Sequence, residues 1–273
     1  MAVQRDDRQD SSPDDVRRPT VVGAGKRRSE RFAEIERVYA DVFETRRRTG
    51  AEVKGEAPYH VFVTEAGIYG PTETDQFYAM LDDLGLPADG DVEVLDAGHG
   101  LGWFVMMLAA ERPDIRKIRG IEYDRVLYEE SREALDLAVL RGQVGRRQVE
   151  FERGDMMDPA YRSRYESADI IYFTDQDDWD LANRFSRMLV SYDLKPGARI
   201  IVLSEEVDPL PILSQSAGIR TDRRREVTIY TIGSGRTAAA RLAEAKAPDV
   251  RDEMAQAFAN SDKEASGRLL KRI

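Results

Sequence analysis

The chain has 273 residues, 41% of them hydrophobic and 34% charged, which is enough for one large α/β domain or two small ones. It contains no cysteine and only two histidines, so disulfides and thiolate metal sites are excluded and we expect no metal centre. The apolar runs are too short to span a membrane, and the charged N-terminus is unlike a secretory signal. We therefore expect a soluble, cytoplasmic protein without a membrane partner.

The formal net charge of −10 is concentrated in the middle of the chain. Residues 1–50 and residues 234–273 each carry +2, which leaves −14 for residues 51–233. An acidic body disfavours nucleic acid as a partner, because affinity for polyphosphate comes mainly from Lys and Arg. A protein substrate with a cationic side chain, or a small-molecule acceptor, suits this charge better. The alternative is that the acidity only keeps the protein soluble.

The N-terminal part of the chain divides into two segments. Residues 1–29 are rich in Asp, Arg, Ser, Pro and Gly and lack periodic apolar positions, which predicts a disordered arm. In residues 30–59, apolar residues recur at helical spacing, and we expect a helix that packs on the core. Ser29 is its predicted N-cap, and "RRR" before Gly50 suits a helix C-terminus.

Residues 60–233 are predicted to form the main domain, and a helix from about Glu73 to Leu84 belongs to it, with Thr72 as its cap. The last part of the chain, residues 234–273, is rich in Ala. Its pattern predicts a peripheral helical tail.

Short apolar runs alternate with amphipathic stretches of helical length in the main domain. The predicted strands are 92–97, 118–123, 149–154, 168–174 and 198–204, and the predicted helices are 102–111, 125–141, 159–166 and 178–192. This alternation implies right-handed crossovers and a parallel sheet covered by helices on both faces. "IRTDRRREVTIYTIG" (219–233) predicts an antiparallel edge hairpin.

A glycine-rich loop follows the first of these strands, in the stretch "VEVLDAGHGLGW". Ligands of open parallel sheets bind at the carboxyl ends of the strands, and Gly98, Gly100 and Gly102 allow the backbone to approach one closely. The third glycine comes one residue too early for a dinucleotide fingerprint. Asp96 would repel a pyrophosphate but suits the positively charged methionyl end of S-adenosylmethionine. The loop therefore predicts a site for this cofactor.

Acidic residues also end the next two predicted strands. Glu122 ends the second strand, where its carboxylate can accept hydrogen bonds from both ribose hydroxyls. Asp155 follows the third strand, where it can accept a hydrogen bond from the adenine amino group while Met156 packs beside the ring. Acids at the ends of three successive strands strengthen the prediction of an S-adenosylmethionine site.

Several stretches of the sequence resemble class I methyltransferases, and among them the disruptor-of-telomeric-silencing family, the histone lysine methyltransferases without a SET domain. The stretches are "IYGPTETDQF" (68–77), "VLDAGHGLGWFV" (94–105), "GIEYD" (120–124), "FERGDMMDPAYRSRYESADIIYF" (151–173) and "LKPGARIIVLSE" (194–205). The resemblance covers roughly residues 65–210 and implies a Rossmann-like α/β fold with a mostly parallel seven-stranded sheet. It also implies that Tyr69, Gly70 and Thr72 form a loop over the methionine end of the cofactor.

The sequence departs from the family at the acceptor side. Pro71 stands where the family's loop has glutamate, and Thr174 with Asp175 stand where the family has two asparagines. Because that strand end faces the methyl group, we do not carry histone specificity over. We predict Asp175, Thr174 and Tyr69 as the catalytic residues of a methyltransferase that acts on a protein lysine amine. The alternatives are a small-molecule methyltransferase and a cofactor-binding module without activity.

The acidic stretch "TDQDDWD" (174–180) has three interpretations. Its acids can cap the following helix, or they can form an entrance that attracts a protonated amine. A calcium loop is the third, but the glycine at the sixth position and the distal glutamate are missing. In the glycine loop itself, we expect the side chain of His99 to point away from the ligand.

Overall fold

The computed structural model describes residues 24–53, 62–64, 67–69, 74–84, 86, 91–174, 179–204, 208–224 and 227–234. No helix in these parts of the chain is both long enough and apolar enough to cross a membrane.

Two sheets are present in the described residues. The strands are β1 (Phe62–Thr64), β2 (Gly67–Tyr69), β3 (Glu93–Ala97), β4 (Lys117–Glu122), β5 (Val149–Arg153), β6 (Ile170–Thr174), β7 (Arg199–Leu203), β8 (Ile219–Arg224) and β9 (Val227–Ile232). β1 and β2 pair with each other, and the other seven form one sheet in the order β5-β4-β3-β6-β7-β9-β8. The neighbours β5, β4, β3, β6 and β7 pair in parallel, whereas β9 runs antiparallel to both β7 and β8.

Helices cover both faces of the large sheet. They are α1 (Ala24–Thr49), α2 (Thr74–Leu84), α3 (Trp103–Glu111), α4 (Arg125–Leu140), α5 (Arg162–Ser167), α6 (Trp179–Ser191) and α7 (Pro211–Ser214), with a 3-10 turn at Pro159–Tyr161 before α5. One hydrophobic core joins the sheet to α1, α2, α3 and α4, and a second joins its other face to α5, α6 and α7. This arrangement confirms the predicted fold class. The ends of each strand and helix predicted between residues 92 and 204 lie within two residues of the observed ends, with the 3-10 turn and α5 taken together as one helix.

β3 is an interior strand of the sheet, and all five of its residues are buried. It pairs in parallel with β4 on one side and with β6 on the other, so the chain order reverses across it. Loops that follow strands on the two sides of such a point diverge and leave a crevice. The glycine loop after β3 lies at this crevice.

The prediction for the N-terminal segment was wrong at its start. α1 begins at Ala24, so Ser29 lies inside the helix and is not its N-cap, and residues 24–29 do not belong to an unstructured arm. Lys26, Arg27 and Arg28 are good helix formers, which favours the continuation of the helix toward the N-terminus. Residues 1–23 and 235–273, together with Thr72, lie outside the described residues.

Candidate cofactor site

The glycine loop folds back onto β4 immediately after β3 ends. The backbone nitrogens of Gly98 and His99 both donate hydrogen bonds to the carbonyl oxygen of Ile121, at 2.9 and 3.0 Å. Gly98, Gly100 and Gly102 have φ values of 83°, 56° and 77°, which lie in the left-handed region that residues with side chains rarely adopt. The three glycines are therefore required by the path of the loop itself.

The glycines at the two ends of the loop have different surroundings. A Cβ atom on Gly102 would lie 2.5 Å from Cζ of Phe151, so the glycine is needed for packing against β5. Gly98 is exposed, and a Cβ atom there would lie 3.6 Å from Sδ of Met156. Gly98 and Met156, which are both predicted to hold the cofactor, are therefore close neighbours. A cofactor contact for Gly102 stays a prediction.

The carboxylate of Glu122 connects two loops at the carboxyl edge of the sheet. Its Oε2 atom accepts a hydrogen bond from the backbone nitrogen of Gly100 at 2.8 Å, and Oε1 accepts one from the backbone nitrogen of Asp124 at 2.6 Å. A carboxylate offers about four acceptor sites, so the side chain can also accept from a ligand hydroxyl. Burial raises the pKa of Glu122, and backbone hydrogen bonds from Asp124, Gly100 and Tyr123 oppose that rise.

Asp96 is the second buried acid of the crevice, with 2% of its surface exposed. Burial raises its pKa well above the ordinary value, and the negative charge of Glu122 raises it further. Asp96 stands opposite Gly120 of β4 in the sheet, and Gly120 comes two residues before Glu122 in the chain. The structure thus brings Asp96 and Glu122 together at a buried point, where a bound cation would offset the cost of ionising them.

The loop after β5 carries Asp155 and Met156, and two tyrosine hydroxyls form hydrogen bonds to backbone carbonyl oxygens at this loop. The hydroxyl of the buried Tyr165 donates to the carbonyl oxygen of Met156 at 2.9 Å, and that of Tyr161 donates to the carbonyl oxygen of Arg153 at 3.1 Å. Asp155 is exposed, and its Oδ1 accepts a hydrogen bond from the backbone nitrogen of Met157 at 2.8 Å. This loop is therefore fixed in place while the Asp155 side chain remains accessible.

A cavity of about 520 Å³ adjoins the ends of β4 and β5. Its lining residues are Glu52, Tyr123, Asp124, Arg125, Val126, Arg153, Gly154 and Asp155. Of these residues, only Asp155 was predicted from the sequence as part of the site. Tyr123 directly follows Glu122 and is 61% exposed, and an aromatic residue next to a strand-ending acid was a usable signal. Glu52 had no such signal, because it reaches the cavity only through the packing of α1.

The residues predicted for the acceptor side are only partly described. Thr174 ends β6 and is half-buried, at the same edge of the sheet as the glycine loop. The backbone of Tyr69 ends β2. Gly70, Thr72 and Asp175 lie outside the described residues, so the catalytic assignments stay predictions.

His99 does not face the crevice. Its ring stacks on that of Phe151, with the centroids 4.3 Å apart, and it occupies the space where Gly120 has no side chain. Among the residues that the structure describes, neither ring nitrogen has a hydrogen-bond partner, and burial lowers the pKa of His99 to about 3. His99 is therefore a neutral packing residue and not a proton acceptor for a ligand.

No known family profile matches the chain, and no curated protein is significantly similar to it. Solved structures with a similar fold include a precorrin-6Y C5,15-methyltransferase of Geobacter metallireducens, with 15% identity and a TM-score of 0.45 over 60% of this chain and 90% of that one. A putative methylase of Haemophilus influenzae has 19% identity and a TM-score of 0.45 over 59% and 98% of the chains. An rRNA methyltransferase of Streptomyces viridochromogenes has 17% identity and a TM-score of 0.44 over 66% and 90%. At these identities the likeness concerns the fold, and the function has to be argued from the site.

Proposed function

We propose that the chain is an S-adenosylmethionine-dependent methyltransferase that transfers a methyl group to the side-chain amine of a protein lysine. The observation that carries the cofactor assignment is the pair of buried acids, Asp96 and Glu122, beside the glycine loop. A buried carboxylate pair is costly unless a cation or hydrogen-bond donors compensate it. The ribose hydroxyls and the positively charged methionine end of S-adenosylmethionine supply both.

The residues around the acids fit the rest of the cofactor. Glu122 accepts hydrogen bonds from the ribose hydroxyls, and Asp155 accepts one from the adenine amino group. The exposed ring of Tyr123 offers a flat apolar surface in the cavity, next to Asp155, on which an adenine ring can stack. A dinucleotide fits less well, because its pyrophosphate would meet the negative charge of Asp96 and Glu122.

When bound, S-adenosylmethionine supplies an electrophilic methyl group on a positively charged sulfur. On the acceptor side, Thr174 is the last residue of β6 and Asp175 is the next residue in the sequence; β6 lies beside β3 in the sheet. Asp175 attracts a protonated lysine to this edge. The lysine must then lose its proton, which costs about 4–5 kcal/mol at about pH 7 for a pKa of about 10.4, and a nearby carboxylate raises that cost. We therefore assign the chain a role in aligning the amine with the methyl group rather than in general-base catalysis.

The lysine acceptor rests on two further observations. Residues 51–233 carry the negative charge of the chain, which favours a cationic partner. Roughly residues 65–210 resemble a family that methylates lysine, although Pro71, Thr174 and Asp175 differ from it.

The proposal is tested by incubating the protein with S-adenosylmethionine that carries a labelled methyl group and with cell extract divided into protein and small-molecule fractions. Mass spectrometry then locates the label. Label on lysine Nζ atoms supports the proposal as stated. Label only in the small-molecule fraction contradicts the lysine acceptor, and cofactor binding without transfer to either fraction contradicts the enzymatic activity.

A further inference from the structure

Helix α1 contacts the glycine loop directly. Tyr39 is fully buried, and its hydroxyl donates a hydrogen bond to the carbonyl oxygen of Leu101 at 2.5 Å. Its ring stacks on Trp103, with the centroids 4.6 Å apart and an angle of 18° between the planes. Leu101 lies between Gly100 and Gly102, so a side chain of α1 holds the part of the loop between these two glycines.

The C-terminal end of α1 is held by a buried cation. Arg46 is 4% exposed, and its Nε donates to the carbonyl oxygen of Glu52 at 2.9 Å. Its guanidinium also forms ion pairs with Glu133 at 2.6 Å, Glu129 at 3.4 Å and Glu130 at 3.9 Å, all on α4. Arg46 therefore fixes both the docking of α1 on α4 and the path of the residues that follow α1.

These contacts close into a ring that reaches the cavity. Arg125 pairs with Glu129 at 2.7 Å and with Glu52 at 3.1 Å, so the contacts run from Arg46 to Glu129, Arg125, Glu52 and back to Arg46. A hydrogen bond from Arg125 is the main cause that lowers the pKa of Glu129, and a hydrogen bond from Arg46 lowers it further. Glu52 and Arg125 line the cavity, whereas Glu129 is not among its described lining residues. We call these four residues the α1–α4 ring.

We propose that α1 is a positioning element of the cofactor site, with Tyr39 fixing the glycine loop and the α1–α4 ring fixing the Glu52 wall of the cavity. This inference rests on the proposed function, because it assumes that S-adenosylmethionine occupies the loop and the cavity together. One helix then sets the separation between the two sides of the site. By linkage, a cofactor that needs both sides in place must also stabilise the docking of α1.

The experiment compares two alanine variants on the same face of α4. Glu129→Ala removes two contacts of the α1–α4 ring without removing a described lining residue of the cavity. Glu133→Ala is the matched control, because it removes an ion pair of Arg46 that lies outside the ring. Affinity for S-adenosylhomocysteine is measured by calorimetry, and the melting temperature of each variant is recorded beside it.

We expect Glu129→Ala to weaken S-adenosylhomocysteine about fivefold and to leave kcat at saturating cofactor unchanged, while Glu133→Ala lowers the melting temperature comparably and leaves affinity intact. Equal affinities in the two variants would overturn the inference. Wild-type protein that binds no S-adenosylhomocysteine would overturn the proposed function, and the inference with it.

Tyr39→Phe provides a second measurement on the other side of the site. The variant keeps the ring that stacks on Trp103 and removes the hydroxyl that donates to the Leu101 carbonyl. Amide hydrogen exchange of residues 98–102 is expected to become faster in the variant and to slow again when S-adenosylhomocysteine is added. Exchange identical to the wild type, with and without the compound, would contradict the role of Tyr39.

Discussion

The Oε2 atom of Glu122 lies 2.8 Å from the backbone nitrogen of Gly100, so the acid that ends β4 holds the loop that follows β3. This contact makes Glu122 both a structural and a binding residue. The same carboxylate accepts a second hydrogen bond from the backbone nitrogen of Asp124, the N-cap of α4. A ligand that binds Glu122 is thereby placed directly beside the glycine loop.

Glu122→Gln tests this double role. The amide group of glutamine places a donor against one of two backbone N–H groups, so a buried hydrogen bond is lost at a cost of about 1–3 kcal/mol. We expect a lower melting temperature and at least a tenfold loss of affinity for S-adenosylhomocysteine, measured by calorimetry, because about 1.4 kcal/mol corresponds to tenfold. Glu150→Gln on β5 is the control, since this carboxylate pairs with Lys117 away from the crevice. Unchanged affinity in Glu122→Gln would rule out the ribose assignment.

Gly102→Ala tests how much the close packing of Gly102 against Phe151 contributes to stability. The new Cβ atom would lie 2.5 Å from the ring of Phe151 on a left-handed backbone, and we expect the free energy of unfolding to fall by about 2–4 kcal/mol. Gly142→Ala is the control, because Gly142 has a φ of 70° with nothing within 4 Å of a Cβ atom. Denaturant titrations that give the two variants the same loss would show that the contact with Phe151 is unimportant.

Asp96→Asn tests the buried acids by their pH dependence. The raised pKa of Asp96 contributes stability that is complete below its ordinary pKa and is lost as the pH rises through the raised value. As the pH rises above the ordinary pKa of an aspartate, we expect the melting temperature of the asparagine variant to fall less than that of the wild type. We also expect the variant to bind S-adenosylhomocysteine more weakly.

Asp114→Asn is the contrasting variant for this experiment. A hydrogen bond from Arg112 lowers the pKa of Asp114, so its stabilisation is present above the ordinary pKa and is lost at acidic pH. Replacing Asp114 with asparagine should therefore lower the melting temperature at neutral pH. If Asp96→Asn behaved in the same way, the raised pKa of Asp96 would be contradicted.

His99 predicts a second pH effect. With its pKa lowered to about 3, the folded protein keeps His99 neutral, while the unfolded chain takes up a proton near the ordinary value of about 6.5. Stability should therefore fall as the pH drops from about 6.5 toward 3, and the fall should be shallower in His99→Leu. His60→Gln in both proteins makes His99 the sole titrating histidine of the comparison. Parallel curves of melting temperature against pH would contradict the burial of His99.

Asp175→Ala addresses the acceptor side. Because we place Asp175 beside the amine and not beside the cofactor, turnover should fall while the dissociation constant for S-adenosylhomocysteine stays close to that of the wild type. Asp180→Ala is the control, since Asp180 is exposed in the first turn of α6 and pairs with Arg184 at 3.2 Å. Equal losses of affinity and turnover in Asp175→Ala would move this residue to the cofactor side.

The sheet and part of the site were predictable because their signals are local in sequence. Strand periodicity placed Asp96, Glu122 and Asp155 at strand ends, and the sheet then brought these ends to one edge. The contribution of α1 was not predictable, because the contacts of Tyr39 with Leu101 and of Arg46 with Glu129 join residues far apart in the chain. Arg46 illustrates the limit: its position in the last turn of α1 suited the helix dipole, but it is buried against α4.

Direct binding is the decisive test of a site for S-adenosylmethionine at Asp96, Glu122 and the glycine loop. S-adenosylhomocysteine is titrated into the wild-type protein in a calorimeter. We expect saturable binding of one molecule per chain. The absence of any binding, with the protein shown to be folded by its melting transition, would contradict it.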